Sequence, residues 1–416
     1  MKNKNMKKED EIKTVVPALR FPEFRGMNEW EENKLNSLCD IINGKCNAQD
    51  HVEGGKYPLF DRSATMKYSN DYLYDCEAII IPGEGVKFVP KYYIGKFNLH
   101  QRAYALKDFS CNGRFLFYSM EYYSGLLAIK AVKSTVLSLR LPILQYFLLY
   151  IPNNNTEQQK IADCLSSLDD LIEATAQKVE VLKEHKKGLM QRLFPAKGKN
   201  VPDLRFPEFR GTSAWEEKRL GDVVEIKGRI GFRGYTTKDV VEQGDGAISL
   251  SPTNITDNGN LNFEKSTYIS WEKYEESPEI QLKKGYIVLV KTGSSYGKSA
   301  LVKELPTKTT VNPQIVVLKP KDGINEHFIS ALISHSMVQR QIKCAVVGGA
   351  IPTLSQESIS KFDILYPKKT SHKPSEQEKI ADCLSSLDEL IEATSRKVEI
   401  FKEHKKGLMQ QLFPRI

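Results

Sequence analysis

The sequence predicts an α+β chain of two mixed α/β domains related by a pseudo-two-fold and joined by two long helices packed as an antiparallel coiled coil. Three observations predict it. A 39-residue helical stretch occurs twice, a shorter aromatic motif precedes each copy at a distance, and two diverged segments of strand and helix character lie between. A self-match at fixed offset is the first thing to read in a chain, because it sets the architecture.

The helical stretch covers residues 157–195 (EQQKIADCLSSLDDLIEATAQKVEVLKEHKKGLMQRLFP) and 376–414 (EQEKIADCLSSLDELIEATSRKVEIFKEHKKGLMQQLFP). The offset is 376 − 157 = 219, with 32 of 39 positions identical. Apolar residues at Ile161, Leu165, Leu168, Ile172, Val179, Leu182, Leu189 and Leu193 step alternately by four and three. That spacing is a heptad seam in want of a partner helix. Thr175 and Lys186, repeated as Thr394 and Lys405, are its polar members and are expected to set register between the copies. Thr156-x-x-Gln159 and Ser375-x-x-Glu378 have the form of capping boxes, and Pro195 and Pro414 end the helices. Each helix should be about 50 Å long at roughly 1.5 Å per residue.

The shorter motif is PALRFPEFRGMNEWEENKL at 17–35 and PDLRFPEFRGTSAWEEKRL at 202–220, with 13 of 19 positions identical at an offset of 185. Phe21, Phe24 and Trp30 are expected to pack it onto its own domain, with no chemistry of its own. The chain thus divides into a tail (1–16), a first domain (17–156), a first long helix (157–195), a linker (196–201), a second domain (202–375) and a second long helix (376–414). Strands are expected at 77–81, 102–106, 222–227, 286–290, 299–302 and 314–318, and helices at 113–131 and 328–342. HQRAYALKD (100–108) is distantly like NPQIVVLKP (312–320), and STVLSLRLPILQYFLLYIP (134–152) is like GAIPTLSQESISKFDILYP (349–367). The two domains therefore read as one fold that has diverged at its surface.

The net charge of the 416 residues is +8, and its placement is informative. Counting Lys and Arg against Asp and Glu, the long helices carry −1 and −2, whereas 36–156 carry +3 and 220–375 carry +4. The positive charge lies off the helices, in the segments that differ, as a polyanion partner would require. No uncharged apolar run approaches the about 18 residues of a membrane span. The basic tail lacks the apolar core of a secretory signal and reads as disordered. The seven scattered cysteines form no Cys-x-x-Cys pair, which fits a reducing cytoplasm better than a zinc site.

Candidate contact residues cluster in loops. Lys227, Arg229, Arg233 and Tyr235 sit in KGRIGFRGY, where arginine forks and glycines suit close approach to bases or phosphates. The stretch KTGSSYGK supplies Ser294, Ser295, Tyr296 and Lys298. It lacks the spacing of a nucleotide-binding phosphate loop, since the required first glycine is Thr292, and a strand rather than a long helix follows. Asn312 and Gln314 in the second segment, and His100, Gln101 and Arg102 in the first, lead into the matched strand. Asn, Gln and Arg are the side chains that read base edges bidentately, and a structural hydrogen bond is the competing explanation for each. Asn43 and Lys45, Arg62 and Ser63, and Lys87 occupy three further polar loops of the first segment. No H-E-x-x-H zinc motif occurs, nor the D/N-P-P-[Y/F] tetrapeptide that an amino-methyltransferase uses on a flipped base.

With these residues assembled, the chain resembles the specificity subunit of type I restriction-modification enzymes. The twin EQxKIADCLSSLDxLIEAT helices, the LRFPEF…W motifs and the GAIPTLSQ…ILYP stretch carry the resemblance, which covers essentially the whole chain. It implies two target-recognition domains, each reading one half of a bipartite double-stranded DNA site, with half-sites roughly 34 Å apart. It implies no catalytic site, metal or cofactor in this chain. S-adenosylmethionine, ATP and Mg2+ would belong to partners, namely two modification subunits and two restriction subunits. The alternative from the heptad seams alone is a coiled-coil interaction scaffold without DNA contact, and an enzyme built on KTGSSYGKS is a third reading.

Overall fold

The computed structural model describes residues 13–63, 65–133, 135–229, 234–345 and 353–415. The chain divides into two compact units, 1–176 with 395–416 and 177–394. The long helices run over Asn155–Leu193 and Glu376–Leu412. Each gives one half to each unit, so a unit is a domain with two half-helices rather than a domain beside an intact helix.

The first unit contains β1 (Thr14–Val15), β2 (Trp30–Lys34), β3 (Asp40–Asn43), β4 (Tyr57–Phe60), β5 (Lys67–Ser69), β6 (Tyr74–Pro82), β7 (Glu84–Gly85), β8 (Lys91–Leu99), β9 (Ala103–Lys107), β10 (Leu137–Ser138) and β11 (Leu148–Ile151). A six-stranded sheet has the order β3-β9-β6-β8-β4-β5, and β1-β2-β11 form a second sheet. The expected disordered tail is overturned at Thr14 and Val15, which pair with Glu31 and Trp30. Residues 1–12 lie outside the described residues. The apolar run of β6 is explained by burial on both faces. Ile79 and Ile81 join one core with Leu106 and Phe115, while Ala78 and Ile80 join another with Phe60 and Phe97. That is the period-two alternation of a strand, with neither face left to water.

The second unit contains β12 (Glu216–Arg219), β13 (Val224–Gly228), β14 (Val240–Val241), β15 (Gly246–Leu250), β16 (Thr267–Ser270), β17 (Ile287–Val290), β18 (Ser299–Leu301), β19 (Thr309–Val311), β20 (Ile315–Pro320) and β21 (Asp363–Tyr366). Its two four-stranded sheets have the orders β13-β20-β17-β18 and β14-β16-β15-β19. β17 repeats the two-faced burial of β6, with Ile287 and Leu289 in one core and Val288 and Val290 in the other. The strand expected at 222–227 is a helical turn, Leu220–Val223, followed by β13. Each single helix expected from spacing is two. Gly113–Tyr122 and Ser124–Lys130 break at Tyr123, and Glu326–Ser334 and Ser336–Ala345 break at His335, whose ψ of 147° is extended.

The half-helices pair antiparallel within each unit, and every seam position from Ile161 to Leu193 is buried or half-buried. In the second unit Lys186 Nζ meets Asp388 at 2.6 Å. In the first, Lys405 Nζ meets Asp169 at 2.8 Å and Glu121 at 3.0 Å. Since 405 − 186 and 388 − 169 are both 219, these are one ion pair made twice. Lysine therefore marks register as the spacing predicted. The threonines do not. Thr175 and Thr394 donate to Leu171 O and Leu390 O of their own helices, the back-bond to the i−4 carbonyl that polar helix residues favour.

The aromatic motif carries chemistry that sequence reasoning missed. Arg20 forks onto Glu157 with two hydrogen bonds of 2.7 Å, and Arg205 onto Glu376 at 2.6 and 2.7 Å. All four side chains are buried. The next residue of each long helix is a second clamp. Gln158 Oε1 accepts from Asn112 N at 2.7 Å, and Gln377 Oε1 from Asn325 N at 3.1 Å. Those asparagines cap the helices that start at Gly113 and Glu326. Identity of the Glu-Gln pair and of the arginine in both copies was the available signal. The caps of the long helices also differ from expectation. Ser375 and Glu378 bond as a capping box would. In the first copy Asn154 Oδ1 caps instead, accepting from Thr156 N at 2.8 Å, while Gln159 turns to Asp163.

Candidate nucleic-acid interface

In the first unit the turn at 100–102, between β8 and β9, is a hub for three loops. His100 N donates to Phe60 O at 2.9 Å, Gln101 N to Cys46 O at 2.9 Å, and Gly83 N to Arg102 O at 2.8 Å. This gathers the stretches that hold Asn43, Lys45, Arg62, Ser63, His100, Gln101 and Arg102, with Lys87 further along the loop that leaves β7. Asn43, Lys45, Arg62, Lys87, Gln101 and Arg102 are exposed. Glu84 accepts from Arg102 at 3.0 Å and from Arg62 at 3.4 Å, so one carboxylate holds two arginine forks at the surface. Ser63 is folded back onto Asp61, and Gln101 donates to Asn47 at 2.9 Å.

In the second unit the turn at 312–314, between β19 and β20, is wired in the same way. Asn312 N donates to Leu250 O at 2.9 Å, as His100 N does to Phe60 O, and Lys291 N donates to Gln314 O at 2.8 Å, as Gly83 N does to Arg102 O. The side chains match too. His100 Nδ1 accepts from Arg102 N at 3.1 Å, and Asn312 Oδ1 from Gln314 N at 3.0 Å. His100 and Asn312 are therefore the braces of the turn, as the structural explanation held. Burial first of all holds the His100 imidazole below its ordinary pKa, so the neutral ring can accept. The exposed tips are Arg102 and Gln314.

The ends of β13, β17, β18 and β20 bring the remaining candidates to this edge, since Gly228 pairs with Val316, Val290 with Ile315, and Leu289 with Ser299. Ser294 is exposed at the hairpin tip, and Ser295 and Tyr296 are half-buried beside it. Lys298 is drawn to Asp257 at 2.5 Å, and Lys227 to Glu225 at 2.8 Å. Arg229 needs correction. It is only 4% exposed. Its guanidinium donates to Val311 O at 3.2 Å and Thr310 Oγ1 at 3.3 Å, over the Tyr235 ring. It braces the edge from within and is not a surface contact. Arg233 lies outside the described residues. Lys291, which the spacing did not single out, is half-buried at the stem of the hairpin, and burial pulls its ammonium below its ordinary pKa.

The stretch 293–297 (GSSYG) also has the G-x-S-x-G spacing of a nucleophile elbow. It is a hairpin turn between two strands, β17 and β18, whereas that device requires a strand running into a helix. The same geometry rules against a nucleotide-binding phosphate loop. Among the described residues no group of His, Cys, Asp and Glu could hold a metal ion, and no helix is long and apolar enough to cross a membrane.

The fold and its two loop clusters define a duplicated recognition scaffold: one frame, one hub wiring, two different sets of exposed side chains. The model of the type I restriction modification DNA specificity domain matches residues 27–184 and 212–400, and the chain belongs to that family as a specificity subunit of a type I restriction-modification system. It is similar to the type I restriction enzyme MjaVIII specificity subunit of Methanocaldococcus jannaschii, with 23% identity over 97% of this chain and 95% of that one. The EcoDI specificity subunit of Escherichia coli is 26% identical over 49% of this chain and 50% of its own length. The crystal structure of the S subunit from M. genitalium superposes with a TM-score of 0.62 at 16% identity, covering 97% of this chain and 100% of that one. A chain from a structural study of assembly and conformational transition in the type I system gives 0.52 at 13% identity, covering 92% and 96%. These neighbours share the fold. Specificity subunits are the non-catalytic members of their systems, and the chain's domains are DNA-recognition domains.

Proposed function

We propose that the chain reads a bipartite double-stranded DNA sequence, each unit reading one half. The observation that supports this most directly is the shared hub wiring with different tips, Arg102 in one unit and Gln314 in the other. Arginine suits the guanine edge and glutamine the adenine edge in the major groove. The long helices act as frame and ruler, and their outward faces dock two modification subunits, which hold S-adenosylmethionine and methylate adenine. Two restriction subunits use ATP and Mg2+ in the complete assembly, and no cofactor is held by this chain.

Selection from a random DNA pool by the chain with its modification subunits is expected to yield a split motif. A contiguous motif, or none, would remove this reading and favour a scaffold without DNA contact. Gln314→Ala is expected to relax one half-site by about 5- to 150-fold, the worth of a bidentate base contact of roughly 1–3 kcal/mol, and Arg102→Ala the other half-site. An unchanged motif in both variants would show that these tips do not read bases. Deleting one heptad from both long helices removes roughly 10 Å of each. It is expected to change the gap between half-sites and leave both half-site sequences intact, as read by mapping methylated adenines across the genome. An unaltered gap would show that the helices are not the ruler.

A further inference from the structure

We propose that a cavity in the second unit, behind the hairpin tip at 293–298, binds a phosphate group of the DNA backbone; the proposal rests on the reading of this unit as DNA-binding. The cavity holds about 350 Å³, at the small end of the roughly 300–1,000 Å³ of ligand sites. One wall is the first long helix, which presents Lys183, Lys186 and Lys187. The other is the start of the helix Ser336–Ala345, with His335. The slight negative charge of the long helix as a whole conceals this grouping of three lysines within five residues.

Lys183 and Lys187 are available to an anion. Among the described residues Lys183 and Lys187 bond only Glu180 at 2.7 Å and Glu184 at 3.5 Å on their own helix, exposed pairs of the kind that contribute little. Lys186 is held by Asp388, the one acid in the cavity wall among the described residues. His335 is 6% exposed and stacks on Phe194 at 5.0 Å. Its Nδ1 accepts from Met337 N at 3.4 Å, so Nε2 carries the proton. That donor has no partner among the described residues. Met337 N and Val338 N are bonded to His335 itself, so the helix start adds only the partial positive charge of its dipole at the same wall.

The first unit supplies the contrast. Nine residues beyond the capping asparagine, Asn112 or Asn325, stands Glu121 in the first unit and Ser334 in the second. Glu121 bonds Lys405, the equivalent of Lys186, at 3.0 Å. An acid therefore occupies in one unit the place that the other leaves as a cavity lined by lysines. The cavity also touches the base-reading loop. Gln339 lines it and donates to Gly297 O at 3.2 Å. Asn258 lines it beside Asp257, the partner of Lys298. A phosphate seated there would brace the hairpin tip from behind and add salt-dependent affinity without reading sequence.

Lys183→Ala with Lys187→Ala, and separately Ser334→Glu, are made in the full chain within its complex, and affinity is followed against salt concentration. Each is expected to lower the salt slope by about one and to weaken every DNA sequence alike, with the selected motif unchanged. Because Ser334→Glu repeats what the first unit already carries, it tests the site with the frame intact. An unchanged slope in both variants, while Gln314→Ala still alters the motif, overturns the cavity and leaves the proposed function standing. A wild-type chain that selects no motif overturns both. Inorganic phosphate separates the two sources. If it shifts the His335 ring resonances but the variants keep the wild-type salt slope, the occupant is free phosphate and the DNA contact is overturned.

Discussion

Replacing Arg205 with alanine is expected to destabilise the second unit by about 3–5 kcal/mol, the cost of removing one partner from a buried ion pair. The pair earns that expectation from its geometry. Arg205 reaches both oxygens of Glu376 at 2.6 and 2.7 Å and also donates to Thr212 O and Ser213 O at 3.1 Å. The side chains are 7% and 3% exposed. Alanine would strand a buried carboxylate at the start of the second long helix without the guanidinium that holds both of its oxygens. Arg20→Ala is expected to cost less, because Trp30 Nε1 still donates to Glu157 at 3.2 Å, whereas Trp215 Nε1 has no partner among the described residues. Replacing both Arg205 and Glu376 with methionine should be far milder than the single change, since no charge is left buried. Urea unfolding checks the series. A loss below about 1 kcal/mol for Arg205→Ala would show that the pair does not hold the helix to its domain.

Phe413→Ala is expected to cost the first unit about 3–5 kcal/mol, as removal of a buried aromatic ring does. Phe413 is 1% exposed. Its ring lies 5.7 Å from Phe115, 6.3 Å from Trp30 and 5.5 Å from Tyr122, and Tyr123 Oη donates to Pro414 O at 2.5 Å. The residues that follow the second long helix are thus part of the core of the domain that precedes the first. Phe194 has the same place in the second unit, stacked on Phe328 at 5.4 Å and against Trp215 at 5.9 Å. Hydrogen exchange is the sharper measurement. Phe413→Ala should strip protection from the helix Gly113–Tyr122 while the second unit keeps its own. Unchanged exchange in that helix would show that the ring is not a keystone of the first core.

Much of the frame was legible because it is written twice. The heptad steps from Ile161 to Leu193, the paired lysines and the matched strands after 102 and 314 all recur where repetition and period said they would. The match of 134–152 to 349–367 is explained by β11 and β21, which pair with β2 and β12 ahead of the long helices. Less was legible in the loops. Composition marks Arg229 and Arg102 alike as arginines among polar residues, yet one turns inward to Val311 O and the other stands at a tip. That choice depends on a carbonyl 82 residues away, which no local pattern encodes.

The sequence alone determined that one plan is used twice, that each copy carries a heptad seam in want of a partner helix, and that the positive charge lies in the segments that differ. These follow from periodicity, repetition and charge placement, all local or self-comparing properties. Only the tertiary structure decided which side chains brace the turns from within and which stand exposed at their tips, and it showed that Glu84 holds the exposed Arg102 and Asn312 donates to the exposed Gln314. It showed Arg20, Glu157 and Gln158 locking helix to domain, His100 and Asn312 holding equivalent turns, and Lys183, Lys186 and Lys187 facing a cavity. Each depends on where distant backbone carbonyls and buried surfaces fall, and burial is a property of the packed chain rather than of any stretch of it.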